Sequence, residues 1–324
     1  MNDPIKKLDE FSELILTENK PGKLRAACYD FYDFLCDLVG LNDDFNDSQT
    51  YDATILSQGK AVSPLSAARC IGEYKRTLKF IRGVLAAINE LKFRFPNETI
   101  EILYAGCGPF ATLIIPLLRR YSPAELSLTL LDFHEFSIES AQKIFQIFGF
   151  ENFNAEFIQT DACFYKHPRK LHLVISETML NALSSETQTA ITLNLAPQIC
   201  ENGIFVPQNI SVSACFGNPA KEFTEKERYF LGTILELDTE NVGTGGQFQN
   251  PPVSLKIPND IKTRNLNLMI LTEIQIFDKF KLKDYESSIT YPKNIQFFAE
   301  VSKVSAVEFK YILDENPHFE HRII

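Results

Sequence analysis

Hydrophobic residues recur at helical intervals over the first 40 of the 324 residues and again from residue 63 onward. In the first region, Lys20-Pro21-Gly22 separates two such stretches, which predicts two helices. In the second, Ser63-Pro64 places an N-cap residue before a proline that suits the first turn of a helix. The apolar stripe then continues to about Asn89. The pattern predicts an N-terminal helical cap over residues 1–97 that includes one long helix.

Short apolar runs alternate with helical patterns between residues 98 and 207, as expected for a parallel sheet. Four runs are interpreted as consecutive strands, at residues 102–105, 126–131, 155–159 and 171–175, and the first of them as a buried strand. After Pro207 the pattern changes to extended segments with alternating apolar residues, at 209–216, 268–277, 295–303 and 306–313. The sequence therefore predicts an α/β fold, with a Rossmann-like domain at 98–207 and a β-rich C-terminal domain, a barrel or sandwich, at 208–324.

A glycine-rich turn, Gly106-Cys107-Gly108, follows the first of these strands. Glycines let backbone N–H groups approach a ligand closely. Pro109 and the apolar residues up to Leu118 predict a helix whose positive N-terminus faces the turn. Read as G-x-G-x-x-A, the turn satisfies the dinucleotide fingerprint as well as the turn of S-adenosylmethionine (SAM) enzymes. The turn alone leaves both cofactors open.

Acidic residues follow the next three strands. Asp132, with Phe133 after it, ends the second strand 24 residues beyond the second glycine and is placed to bind ribose hydroxyls. Asp161 follows the third strand and could accept a hydrogen bond from an adenine amine, while Ala162 leaves space for the ring. Glu177 lies at the end of the fourth strand. Because open α/β sheets bind ligands outside the carboxyl ends of their strands, we expect these acids and the glycine turn to meet at one rim.

Composition and charge indicate which kinds of partner, metal site and compartment to expect. A hydrophobic content of 45% is ordinary for a globular protein, and a net charge of −10 argues against a nucleic-acid or anionic-membrane surface. The seven cysteines are scattered, without C-x-x-C or histidines at metal-ligand spacing, so we expect reduced thiols and no metal site. Neither a signal peptide nor an apolar run of eighteen residues is found. The expected compartment is the cytoplasm.

Three stretches resemble motifs of the protein arginine methyltransferase family, within the SAM-dependent methyltransferase superfamily. Residues 76–80, RTLKF, are similar to the family's R-T-x-x-Y/F helix, whose arginine holds the SAM carboxylate. Residues 176–179, SETM, with a second glutamate at 186, are similar to its double-glutamate loop. Residues 195–207 resemble its passage from the SAM domain into a β-barrel. The resemblance covers about residues 64–216.

This resemblance implies a SAM-dependent methyltransferase that methylates a guanidino or amino nitrogen on a small molecule or a peptide. Glu177 would be the principal carboxylate that orients the acceptor and Glu186 the second, in charge-assisted hydrogen bonds and without a metal. The residues that would bind SAM are Arg76, Gly106, Cys107, Gly108, Asp132, Phe133, Asp161 and Ala162. A homodimer, through an arm from residues 218–250, is also implied.

The chain also departs from the family. It has no tryptophan, so the family's Thr-His-Trp loop is absent, and Tyr104 and Phe110 replace an acid and a glycine. These departures favour a divergent relative that acts on a small molecule in a biosynthetic pathway. Three other functions stay open: an O-methyltransferase, an NAD-dependent dehydrogenase, and a catalytically silent SAM-binding subunit. Structural roles stay open too, with Arg76 as a solvated charge, Glu186 stabilising a helix N-terminus and Asp161 forming a turn.

Overall fold

The computed structural model describes residues 3–42, 48–224, 227–242, 250–258, 261, 264–301 and 304–324. The helices are α1 Pro4–Thr17, α2 Pro21–Val39, α3 Ser48–Tyr51, α4 Pro64–Arg69, α5 Tyr74–Arg94, α6 Ile115–Leu118, α7 Glu135–Ile147 and α8 Gln188–Leu195. The strands are β1 Thr54–Leu56, β2 Gly59–Ala61, β3 Ile100–Ala105, β4 Leu126–Asp132, β5 Asn154–Gln159, β6 Leu171–Ser176, β7 Ile199–Val206, β8 Asn209–Gly217, β9 Arg228–Asp238, β10 Val253–Lys256, β11 Arg264–Phe277, β12 Phe280–Leu282, β13 Lys293–Glu300, β14 Ala306–Ile312 and β15 His318–Ile323.

The central layer is a five-stranded parallel sheet in the order β5-β4-β3-β6-β7. Alternate residues of β3 belong to two separate hydrophobic clusters, Ile102 and Tyr104 to one, Leu103 and Ala105 to the other. Since successive side chains of a strand point to opposite faces, both faces of this sheet are covered. The carboxyl ends of its strands therefore form a rim with packed layers on either side.

The C-terminal part is antiparallel. Strand β11 pairs with β8 along one edge and with β12 and β13 along the other, and β9 pairs with β8. A second sheet has the order β10-β14-β15. With the N-terminal helices and the parallel sheet, this arrangement confirms the predicted fold class. The boundaries at 97 and 207 stay a prediction.

The predicted long helix from Ser63 is wrong, because this stretch forms two helices with an interruption between them. A 3₁₀ turn at Cys70–Gly72 follows α4, and Glu73 has non-helical dihedral angles (φ −78°, ψ 70°) before α5 begins. Glycine suits position 72 because a Cβ there would lie only 3.3 Å from the ring of Tyr29, which is a tight contact. The break places the N-terminus of α5, and with it Arg76, at the rim of the parallel sheet.

The helix predicted directly after the glycine turn is also wrong. Residues 108–114 form turns, and the first helix in this stretch, α6, begins only at Ile115 and has four residues. Ala111 lies in the left-handed region at φ 45°, which an α-helix does not accept. Helix α6 therefore does not follow the glycine turn directly.

The stretch at 218–250, expected to form an arm, contains β9, which the pattern analysis missed. Residues 225–226 and 243–249 of that stretch lie outside the described residues, as do 302–303 of the strand predicted at 295–303. Among the helices of the described residues, we find none with the length and apolar character needed to cross a bilayer.

Candidate functional site

A cavity lies at the carboxyl ends of β3, β4 and β6. Its volume, about 340 Å³, is within the usual range for small-molecule sites. The β1–β2 hairpin, the bend between α4 and α5, and Ser288 of the C-terminal part complete its walls. Each predicted site residue lines this cavity: Arg76, Gly106, Cys107, Gly108, Asp132, Phe133, Asp161, Ala162, Glu177 and Glu186. The chain thus brings together residues that are up to 110 positions apart in sequence.

The glycine turn forms one wall. Gly106 and Gly108 have positive φ angles of 69° and 62°, a conformation that residues with a Cβ rarely adopt. A Cβ on Gly106 would lie 2.3 Å from Cγ2 of Thr178, so the turn packs directly on the segment that follows β6. Cys107 is buried, and burial raises the pKa of its thiol well above the usual value. This cysteine shapes the wall as a neutral thiol.

Asp132 fixes the glycine turn at the end of β4. Its Oδ2 accepts a hydrogen bond from the Gly108 N–H (2.9 Å), and its Oδ1 accepts one from the His134 N–H (2.9 Å). The His134 ring in turn lies 3.3 Å, Nε2 to Oγ1, from Thr54 of the β1–β2 hairpin. Each carboxylate oxygen has a second lone pair, so Asp132 keeps capacity to accept from a ligand.

Asp161 has a local bond as well as a place in the cavity wall. Its Oδ1 accepts from the Cys163 N–H (2.9 Å), which is the bond that a turn-forming aspartate makes. The neighbouring Ala162 is buried, and its carbonyl accepts from Nδ2 of Asn194 on α8 (2.9 Å). The turn holds Asp161 at the cavity wall, so its structural role is compatible with contact to a ligand.

Arg76 is the cationic centre of the other end of the cavity. It is only 7% exposed, so the interpretation as a solvated charge is wrong. Its Nε donates to Oε1 of Glu177 in a close ion pair, and its Nη1 lies 3.8 Å from Oε1 of Glu73. Burial alone would lower the guanidinium pKa, but Cys70, Glu177 and Glu73 together raise it, so Arg76 is always charged. Burial raises the pKa of Glu177 despite the attraction of Arg76.

Glu186 lies before α8, not in its first turn, so its interpretation as a helix-stabilising acid is wrong. Helix α8 has no acid in its first turn, and Thr187 stands at its N-cap without a side-chain bond. Glu186 is 7% exposed, and burial raises the pKa of its carboxyl to about 7, with Arg76 opposing and Glu177 adding to the shift. This carboxyl therefore changes charge near neutral pH.

Two residues that the sequence reasoning missed hold this end in place. Glu73 accepts from the Ser288 N–H (2.9 Å) and from the hydroxyls of Ser287 and Ser288, which ties the bend before α5 to the C-terminal part. Gln188 accepts through Oε1 from the Thr178 N–H (3.0 Å) and so fixes the segment that carries Glu177. The sequence offers only their positions as a sign of this role, since Glu73 lies three residues before Arg76 and Gln188 lies two residues after Glu186.

Comparison with known proteins places the fold. No family model matches the chain, and neither does any curated protein. Among solved structures, the chain is similar to the PRMT1 enzyme–prozyme heterotetrameric complex with AdoHcy from Trypanosoma brucei. The TM-score is 0.54 at 11% identity, over 79% of this chain and 91% of that chain. At this identity the likeness shows a shared fold.

Proposed function

We propose that the chain is a SAM-dependent methyltransferase whose acceptor is a guanidino or amino nitrogen, on a small molecule or a peptide. The charge of the cavity carries this proposal. Among the described residues that line it, two are cationic, Lys60 and Arg76, and five are acidic: Glu73, Asp132, Asp161, Glu177 and Glu186. SAM and a cationic acceptor each bring positive charge that offsets these carboxylates, whereas the hydroxyl of an O-methylation substrate brings none.

The residues at the cofactor end fit SAM. The two glycines give the turn a left-handed backbone path that a residue with a Cβ rarely adopts, and Asp132 can accept from ribose hydroxyls. The Nε of Arg76 is engaged by Glu177 and its Nη1 lies 3.8 Å from Glu73, so Nη2 is the donor that we assign to the SAM carboxylate. When bound, SAM supplies an electrophilic methyl group on a sulfonium.

The same turn fits a dinucleotide less well. A pyrophosphate binds at the N-terminus of a helix that follows the glycines directly. Here Ala111 breaks the helical path and α6 begins seven residues after Gly108, so that anion site is not formed. SAM has no phosphate and does not require it. This geometry favours the methyltransferase over the dehydrogenase.

At the acceptor end, Glu177 and Glu186 would orient the nitrogen by accepting its N–H groups, so that its lone pair faces the methyl carbon in line with the sulfur. Bound SAM would supply the methyl group, so that an N–C bond would replace the C–S bond and the electron pair of the C–S bond would stay on sulfur. The nitrogen then loses a proton, and Glu186, with a pKa of about 7, is suited to accept it.

The structural neighbour supports the cofactor assignment, because it was solved with AdoHcy, the species that SAM becomes on losing its methyl group. That neighbour is also a heterotetramer, which is consistent with self-association of this chain. We include a homodimer in the proposal on this ground and on the resemblance of the sequence.

The test is transfer of a labelled methyl group from SAM to free arginine, other guanidino and amino compounds, and an arginine peptide. Glu177→Gln should lower kcat/KM by about 10²-fold or more, since it removes one carboxylate oxygen that accepts N–H groups and the negative charge that Glu177 presents to Arg76. Glu10→Gln, the same change at an exposed site on α1, should have no effect. Label on a hydroxyl compound alone would overturn the nitrogen assignment, and SAM binding without any transfer would favour the silent subunit.

A further inference from the structure

The β1–β2 hairpin covers the cavity from outside the parallel sheet. Its register pairs Thr54 with Ala61 and Leu56 with Gly59 around a two-residue turn at 57–58. Leu56 and Ala61 line the cavity, whereas Ile55, on the other face, is 71% exposed. Lys60, which is paired with Ile55, also lines the cavity, so the hairpin contributes residues of both its strands to the site while the tip of its outer face is exposed.

The hairpin joins the two ends of the site. At its start, Thr54 lies 3.3 Å from the ring of His134, whose backbone bonds to Asp132 at the cofactor end. Near its end, Lys60 forms a parallel β-bridge with Glu186 at the acceptor end. Both contacts involve residues that line the cavity.

Gly59 is where the hairpin and the glutamate loop approach most closely. Its φ is 131°, in the region that favours glycine. A Cβ at this position would lie 2.8 Å from the carbonyl carbon of Glu186, 3.0 Å from its oxygen and 3.0 Å from the nitrogen of Thr187. These are backbone atoms, so a side chain at 59 would have to move the loop itself.

The loop around Glu186 is held from the opposite side by the C-terminal part. The Ser185 N–H donates to the Pro317 carbonyl (2.7 Å), and the Glu186 N–H donates to the Ser184 carbonyl (2.8 Å). Ser185 itself has a positive φ of 64°. The backbone that carries Glu186 is thus clamped between Gly59 and Pro317, which is a well-defined position for a carboxylate.

We propose that Gly59 is a positioning residue for Glu186: the side-chain-free contact of the hairpin with the Glu186 backbone sets where this carboxylate meets the acceptor. The inference rests on the proposed function, because it assigns Glu186 to the acceptor. The hairpin contact is also separate from the ion pair of Arg76 with Glu177, which holds the first carboxylate. The two carboxylates are therefore positioned by different elements.

The direct test is Gly59→Ala, with Gly149→Ala as the matched control. Gly149 also has a positive φ, 74°, but nothing lies within 4 Å of the site of its Cβ, so its substitution adds strain without displacing a neighbour. Gly59→Ala should lower kcat/KM for the guanidino acceptor by about tenfold or more and shift the midpoint of its pH profile. SAM affinity should change by less than about threefold. If both variants behave alike, the proposal is wrong.

A second measurement separates this inference from the proposed function. Thermal stability is measured for wild type, Gly59→Ala, Glu186→Gln and the double variant, at pH 5 and pH 8. If Gly59 positions Glu186, the two substitutions are non-additive, and the coupling differs between the two pH values as Glu186 ionises. If wild type transfers no methyl group but the two substitutions are still coupled, only the acceptor role of Glu186 is rejected. Additive effects at both pH values would overturn the positioning of Glu186 by Gly59.

Discussion

At the scale of single residues, Glu186 gives the site a dependence on pH. Its pKa is raised to about 7, mainly by burial, from an ordinary value near 4.5. Below pH 4.5 the carboxyl is neutral in the folded and the unfolded chain. Between pH 4.5 and 7 it is neutral only in the folded chain, so the free energy of unfolding falls as pH rises through this window. Above pH 7 the penalty of an ionised buried carboxylate is complete.

We therefore expect the stability advantage of Glu186→Gln over wild type to grow from about 1 kcal/mol at pH 5 to about 3 kcal/mol at pH 8, at 1.36 kcal/mol per pKa unit. Activity should change in the opposite direction: wild-type kcat/KM rises as Glu186 ionises near pH 7, and the variant lacks this rise. Paired melting curves and pH–rate profiles from pH 5 to 9 measure both. Parallel melting temperatures across the whole range would contradict the assignment of this pKa.

Single residues also show how much of the site could be predicted from the sequence. Asp132 and Glu177 could be predicted to reach one rim because the carboxyl ends of parallel strands meet there. Glu73 could not, since its place depends on a bend that the continuous apolar stripe from residue 65 to 88 does not reveal. An apolar stripe shows which side of a helix is apolar. Because a short 3₁₀ turn keeps the apolar residues on that side, the stripe does not reveal the turn.

At the scale of elements, the contact of α5 with β11 holds the cap against the C-terminal part. Gly83 of α5 permits it: a Cβ there would lie 2.5 Å from Cγ2 of Ile276 on β11. Alanine is ordinarily better than glycine inside a helix by about 1 kcal/mol. In Gly83→Ala the clash outweighs this gain, because Cγ2 is attached to the branched Cβ and cannot turn aside freely.

We expect Gly83→Ala to lower the free energy of unfolding by about 1–3 kcal/mol. Gly22→Ala in the first turn of α2, where nothing lies within 4 Å, should be neutral or slightly stabilising. Urea unfolding of both variants measures the difference, and adding Ile276→Ala should cost less in the Gly83→Ala background than in wild type. A stabilised Gly83→Ala would show that α5 and β11 are not packed in this way.

Element boundaries were the weaker part of the sequence reasoning, for a physical reason. Strands β3, β4 and β6 could be predicted from buried apolar runs, because parallel strands inside a sheet are covered on both faces, whereas β5 is a partly exposed edge strand. Strand β9 is buried over only part of its length, so its hydrophobic pattern is too weak to predict a strand. The turn after Gly108 misled because Pro109 is compatible with a helix, whereas the left-handed Ala111 that prevents one has no sequence signature.

At the scale of the whole molecule, one hydrophobic cluster runs through all three predicted parts. It contains Leu8 of α1, Phe80 of α5, Ile102 of β3, Val212 of β8 and Phe309 of β14. Sequence predicted three domains because the patterns change near residues 97 and 207, but a pattern does not report which surfaces pack together. A shared core predicts that the parts unfold together.

The cavity lies where these parts meet, with Arg76 from the cap, Glu177 from the parallel sheet and Ser288 from the C-terminal part. A ligand that binds there stabilises all of them at once. At a concentration of 100 times its Kd, SAM should add about 2.7 kcal/mol to the free energy of unfolding. Calorimetry should thus show one transition that moves to higher temperature with SAM and stays unchanged with NAD. Two transitions, of which SAM moves only one, would instead support independent domains with a boundary near residue 207, whereas a shift with NAD alone would restore the dehydrogenase.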